Sequence, residues 1–369
     1  MQRSAIDPQP DRTTAEDAMA ALARQRSFDP VGRDAPPAKA LNDPDEQARG
    51  AGARQLDRVA LALAPLGAPV IVFNASHSGS RVLAAMLQRL GVFMGTSLNE
   101  SQDSLDLFDL VRYVVERHAP DFSELFRHGD AALPFRAEAA IHAHLAARPP
   151  GQPWGWKLPE TSHVLPVVSQ LFPKARCIHL VRDGRDVAFS PFVAPKAAFW
   201  RKIYFNDARI GSWRGHAMTQ RAYRAHGHVF NAARWVNSVS LGRAHGAMLG
   251  ERYLEVRYEA LVADPAAELR RVAAFLGVDP PTTMTFADVR SESVGKWRRQ
   301  AAHQLEETRS VLEPTLAAFG YVWDAHAPAP SSAAGLAAKL ARWLGSGVSA
   351  GPRAEPGGLG GLFRVRDRR

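Results

Sequence analysis

The segment that most constrains this chain is Val70 to Gly95, VIVFNASHSGSRVLAAMLQRLGVFMG. It opens as a short apolar run of the kind that forms a strand buried on both faces, and closes as a helix. Between the two lies Ala75-Ser76-His77-Ser78-Gly79-Ser80, too small and polar for a core. A loop that joins the end of a strand to the start of a helix presents unpaired backbone N–H groups and the positive end of the helix dipole, which together favour a phosphate or sulfate. Gly79 permits close approach of an anion, and Ser78 and Ser80 add hydroxyl donors. The most familiar phosphate loop, G-x-x-x-x-G-K-[ST], is absent: no lysine follows Gly79 and no glycine stands five residues before it, which argues against a kinase or NTPase.

The same alternation recurs. Pro69 to Asn74 leads into a helix at about Gly79 to Leu90, ARCIHLVRD leads into Gly184 to Phe189, and RYLEVRY precedes DPAAELRRVAAFLG, a helix with its stop signal at Gly277. Strands alternating with helices predict an α/β protein, a parallel sheet flanked by helices, with ligands at the carboxyl ends of the strands. In FPKARCIHLVRDGRDVAFS, Arg182 ends an apolar strand and Ser190 lies about two helical turns further on, so a guanidinium and a hydroxyl can converge on one phosphate. A surface charge cluster is the other reading of VRDGRD.

The chain is basic, with a formal charge of +9, and the excess persists when both ends are set aside. Nucleic acid, a membrane surface or a small polyanion are the partners that such a charge admits. Cys177 is the single cysteine, so an intrachain disulfide and a cysteine-rich metal site are both excluded. No run reaches the roughly 18 to 20 apolar residues of a membrane-spanning helix, and the N-terminus lacks a secretion signal, so the expected location is cytoplasmic. Residues 1–55 read as a disordered extension, with one short helix at Thr14 to Arg24. Residues 56–324 read as the catalytic domain and 325–369 as a flexible tail. Within that tail GLAAKLARWLG places Leu336, Leu340, Trp343 and Leu344 on one helical face, a short amphipathic helix suited to weak, reversible contact with the inner face of an anionic membrane or to docking on the core.

Taken in order, the strand with its SHSGS loop and helix, FPKARCIHLVRDGRDVAFS, RYEALVADPAAELRRVAAFLG and SVGKWRRQ resemble the four landmarks of sulfotransferases that use 3'-phosphoadenosine-5'-phosphosulfate (PAPS), over roughly residues 68 to 322. The pattern is nearer to the bacterial, tyrosylprotein and carbohydrate members than to the cytosolic steroid and phenol type. The resemblance implies a sulfotransferase fold with a P-loop-like strand, loop and helix, PAPS as co-substrate and no required metal. It places the 5'-phosphosulfate on Ser76, His77, Ser78, Gly79, Ser80 and Arg81, and the 3'-phosphate on Arg182 and Ser190. Tyr258 then lies beside the nucleoside, and Gly295, Lys296 and Trp297 close over the 3'-phosphate. The family loop reads approximately P-[KR]-S-G-T; here Ser76 replaces the proline, His77 the basic residue and Ser80 the threonine. Arg81, a His77 drawn toward its charged form by a bound anion, or neither of the two takes the place of the missing positive charge.

Sulfuryl transfer requires removal of the acceptor hydroxyl's proton and stabilisation of the bridging oxygen. The resemblance assigns these roles to Glu100, in GTSLNESQDS, and to Lys157, in WGWKLPE; His216, His226 and His228 are the rival bases. Residues 191–229 interleave seven Lys or Arg with aromatics, which suits a glycan or glycolipid acceptor, or simply a helical cover for the core. Basic and aromatic interleaving also describes nucleic-acid binders, but that reading leaves Arg182, Ser190 and the Gly-Lys-Trp segment unexplained, so no nucleic-acid partner is expected. A nucleotide-binding protein of the same fold that has lost catalysis through the His77 change is the remaining alternative.

Overall fold

The computed structural model describes residues 50–119, 121–191, 226–280, 286, 289 and 291–323, with backbone alone at 212–213, 216–217 and 220–225. The expected helix at Thr14 to Arg24, most of the aromatic and basic stretch, and the C-terminal amphipathic helix lie outside the described residues.

Four strands form a parallel sheet. β1 (Val70–Asn74) is central, flanked by β2 (Gly155–Lys157) and β3 (Arg176–Val181). A small antiparallel ribbon, β4 (Ser212–Trp213) with β5 (His216–Ala217), stands apart from the sheet, and β6 (Tyr253–Arg257) completes it beyond β3, giving the order β2-β1-β3-β6. Ile71 is in register with both Trp156 and Cys177, and Ile178 with Leu254. This is the parallel sheet flanked by helices that the alternation of elements predicts.

Period-two geometry divides the strand side chains between the faces. Ile71, Phe73 and Cys177 face one core, built with α1 (Ala51–Leu63), α3 (Leu105–His118), α4 (Ser123–His128), α5 (Leu133–Leu145) and α6 (Leu165–Leu171). Val70, Val72, Ile178 and Leu180 face another, with α2 (Ser80–Arg89), α9 (Tyr258–Ala263) and α10 (Pro265–Leu276). Every residue of β1 is buried, which explains its unbroken apolar run. Cys177 is buried in β3, and burial pushes its thiol up to about 12, so it stays protonated and inert.

A third core lies past the carboxyl end of the sheet. There α7 (Gly184–Ala188), α8 (Gln220–Ala247) and α11 (Ala302–Ala318) meet around Trp235 and Phe319. The Trp235 indole donates to the carbonyl of Arg182 at 2.9 Å, and Asn231 donates to the carbonyl of Ala188 at 3.0 Å. These bonds fasten α8 to the segment that follows β3. Helix α10 behaves as its sequence predicts: Asp264 caps it by accepting from Ala267 N at 2.9 Å, Pro265 opens it, and Gly277 ends it in the left-handed region.

Candidate active site

The loop after β1 is built by its backbone. His77 (φ 71°) and Gly79 (φ 83°) both occupy the left-handed region, the backbone conformation from which anion-binding concavities of N–H groups are commonly built. Histidine is among the non-glycine residues that tolerate this conformation. At position 79 nothing larger than glycine fits, because a Cβ there would lie 2.3 Å from the Tyr258 ring. Among the described residues no side chain caps the N-terminus of α2, so its first N–H groups face the loop. Ser78 departs from the expected role: it is fully buried and its hydroxyl donates to Ala75 O at 2.6 Å, so it holds the loop's shape. Ser80 is buried at the first turn of α2.

Arg182, at the end of β3, reaches across to this loop. It is 4% exposed and donates to the carbonyl of His77 at 3.2 Å, to the carbonyl of Ser293 and, at 3.4 Å, to Asp186. Its Nε is buried with no hydrogen-bond partner among the described residues. The Tyr258 ring lies 4.6 Å under its guanidinium, so Tyr258 backs both Gly79 and Arg182. Lys296 donates to the Ser190 hydroxyl at 3.1 Å. Loop, strand end and the 295–297 segment therefore converge, as the motifs predict, although they are separated by up to 220 residues of chain.

Asp186 joins these parts, and the sequence reading missed it. It is fully buried and accepts from Gly295 N at 2.8 Å and Trp297 N at 3.0 Å, besides meeting Arg182. Burial raises its pKa; Arg182 and the two N–H groups oppose that rise. Gly295 adopts φ 69°, the turn that brings its N–H onto the carboxylate. The Trp297 ring is buried beneath Arg185, 3.9 Å away, and Arg185 is paired with Asp183 at 2.8 Å. Nothing in VRDGRD tells its two aspartates apart: one caps α7 and pairs with Arg185, the other fastens the 295–297 segment.

Arg234 on α8 was also missed. It is fully buried, and its positive charge reaches His77 together with those of Lys296 and Arg182. His77 is lowered to about 4, first by desolvation and then by these three cations. Its side chain stays open to solvent on one side, so the cation cluster is the more durable cause. In the absence of an anion the imidazole is neutral at pH 7.

The opposite flank of the loop holds the other candidates. Arg81 is exposed on α2, and its charge reaches Lys157. Lys157 is 1% exposed at the end of β2 and donates to Asp103 Oδ1 and to Ser101 O, each at 2.5 Å. Burial lowers its pKa, opposed chiefly by Asp103. Glu100 stands exposed on the same turn, immediately before Ser101. Of the rival bases, His228 bonds Glu307 at 2.7 Å and stacks on Phe189, and His226 lies 3.7 Å from the same carboxylate, so both face α11. The side chain of His216 lies outside the described residues. Among the described residues no group of three or more His, Cys, Asp or Glu is placed to hold a metal ion.

A family model described as the sulfotransferase family matches residues 69–283. Among solved structures, the sulfotransferase domain of the Synechococcus PCC 7002 olefin synthase is 21% identical, with 69% of this chain and 96% of that domain covered and a TM-score of 0.38. A sulfotransferase from Mycobacterium avium is 16% identical, with coverages of 86% and 99% and a TM-score of 0.40. One from Alicyclobacillus acidocaldarius is 16% identical, with coverages of 69% and 97% and a TM-score of 0.37. A comparison with curated proteins finds no match.

Proposed function

The chain belongs to the sulfotransferase family, and on that premise we propose that it transfers the sulfuryl group of PAPS to a hydroxyl of a glycan or glycolipid. The observation that carries this reading is the meeting of Lys296 with Ser190, 3.1 Å apart, beside Arg182 and the left-handed loop. PAPS has anionic groups at two ends, and it needs two donor clusters. Backbone N–H groups of the 76–81 loop and the start of α2 would take the 5'-phosphosulfate; Arg182, Ser190 and Lys296 would take the 3'-phosphate. The contacts that Arg182 makes to the carbonyls of His77 and Ser293 are exchangeable for phosphate oxygens, which are stronger acceptors.

Positive charge for the transferring group comes from Arg81 and Lys157 on one flank, and from His77 once a bound anion has raised its pKa. An ammonium has three donors. Two of those of Lys157 are used by Ser101 and Asp103, and the third remains for the bridging oxygen. Glu100 would accept the acceptor's proton, its carboxylate standing exposed on the turn that carries Ser101 and Asp103. The glycan or glycolipid preference rests on the arginines and aromatics of residues 191–229, which can grip acidic groups and stack on sugar faces.

Incubation with sulfur-labelled PAPS and a panel of glycans, glycolipids and phenols tests the proposal. Label on a sugar hydroxyl is the expected result. Label only on phenols would overturn the acceptor class, and none on any acceptor despite tight nucleotide binding would overturn transfer.

A further inference from the structure

We propose that Asp103 is a positioning residue for the transfer, holding the Lys157 ammonium in place and fixing the turn that presents Glu100. The inference rests on the roles given above to Glu100 and Lys157. The Glu100 carboxylate has no hydrogen-bond partner among the described residues, and among these it is the turn that sets its position.

That turn, residues 99–103, is closed at several points. Asn99 Oδ1 accepts from Ser101 N and from Asp103 N, each at 2.9 Å, and Gln102 N donates to Asn99 O at 2.9 Å. The two oxygens of Asp103 divide their work: Oδ2 accepts from Asn99 Nδ2 at 2.8 Å, while Oδ1 accepts from Lys157 at 2.5 Å. Below the turn, Ser104 N donates to Lys157 O at 2.9 Å, and Lys157 N donates to the Ser104 hydroxyl at 3.3 Å. The turn is therefore clamped to the end of β2 by both the main chain and the side chain of one lysine. Gln102 pays for the tightness with φ 63°, a conformation that persists only where surrounding bonds over-determine it.

Asp103 is the part of the clamp whose loss is felt at both functional groups. Without it the turn loses its bonds to Asn99 Nδ2 and Lys157, and Glu100 gains freedom. A buried ammonium also loses its nearest carboxylate. The other charges facing Lys157 are Glu160, which favours the protonated form, and Arg81, which opposes it. The net result is an ammonium that gives up its proton at lower pH than in the wild type.

The test uses the full chain, labelled PAPS and a soluble alkyl glycoside as the hydroxyl probe, with Asp103→Asn, Asp103→Glu, Glu100→Gln and Lys157→Met compared. Asp103→Asn is expected to lower kcat by about 10- to 100-fold, with affinity for adenosine 3',5'-bisphosphate unchanged within about twofold because that ligand contacts the other flank. The alkaline limb of its kcat–pH profile should move to lower pH by about one unit or more, a shift that loss of packing alone would not produce. Amide exchange of residues 99–104 should accelerate, Asp103→Glu should recover part of the rate, and adding Asp103→Asn to Lys157→Met should leave the alkaline limb unmoved. Wild-type kcat in Asp103→Asn, or unchanged exchange at residues 99–104, would overturn the inference. Near-normal turnover in Glu100→Gln or Lys157→Met would instead remove the roles on which it rests. Exchange needs no acceptor and is read whether or not the glycoside is sulfated.

Discussion

The two flanks of the anion loop are built by different means. On the donor flank, Arg182, Asp186, Ser190, Arg234 and residues 293–297 come from three distant stretches of chain and are held to one another by buried charge and backbone hydrogen bonds. On the acceptor flank, Glu100, Ser101 and Asp103 share one five-residue turn, pinned to the end of β2 through Lys157. In the proposed reading the donor flank recognises a fixed polyanion, so its donors can be committed in advance. In the same reading the acceptor flank admits a hydroxyl and releases a product, and its proposed base, Glu100, stands exposed. The comparison teaches that ground-state binding and turnover should separate along this line.

The sharpest break would come from Glu100→Gln. Turnover should fall by about 10²- to 10⁴-fold while nucleotide binding is unchanged. Steady-state kinetics beside calorimetry checks this, and near-normal turnover would move the base to His216, His226 or His228. Asp186→Ala comes next. It leaves Arg182 and the N–H groups of Gly295 and Trp297 without their shared acceptor, at a cost of about 3 to 5 kcal/mol in stability, the scale for breaking a buried pair. Denaturant unfolding measures it, and a loss no larger than that of an exposed aspartate would mean that Asp186 is not the fastening. Ser190→Ala removes one hydroxyl and should weaken bisphosphate binding by only about 1 kcal/mol.

The smallest effect concerns His77. Its free-state pKa near 4 must rise when an anion neutralises the surrounding cations, so nucleotide binding takes up protons between that value and the raised one. Affinity should therefore strengthen as pH falls from 7 toward 5, by less than one proton per nucleotide, and His77→Gln should abolish the dependence. Calorimetry in buffers of different ionisation enthalpy reads the proton directly.

How much of this was legible in the sequence follows the same division. β1, its loop and α2 could be read because a buried strand, a small polar loop and a helix are each local patterns, and Asp264, Pro265 and Gly277 mark their helix by capping chemistry. The meeting of Arg182, Ser190 and Lys296 was legible only through the order of the motifs. Asp186 was not: no local pattern shows that a carboxylate in VRDGRD will accept N–H groups from residues 109 and 111 positions further on. Nor was Arg234, one of four arginines on a long helix, whose burial is decided by tertiary packing. Asp103 left a faint signal, since Asn99 and Asp103 in NESQD are turn-forming residues, but its bond to Lys157 spans 54 residues. The shortest strand of the parallel sheet, β2, was read only as the setting of a lysine, because three residues are too few for a period.

The separation of the two flanks is tested most directly by titrating adenosine 3',5'-bisphosphate into wild type, Arg182→Ala and Glu100→Gln in one calorimetric series. Arg182→Ala should lose about 1.5 to 3 kcal/mol of binding free energy, the scale of a hydrogen bond to a charged group, and Glu100→Gln should match wild type. Equal affinity in wild type and Arg182→Ala, or a comparable loss in Glu100→Gln, would contradict the account.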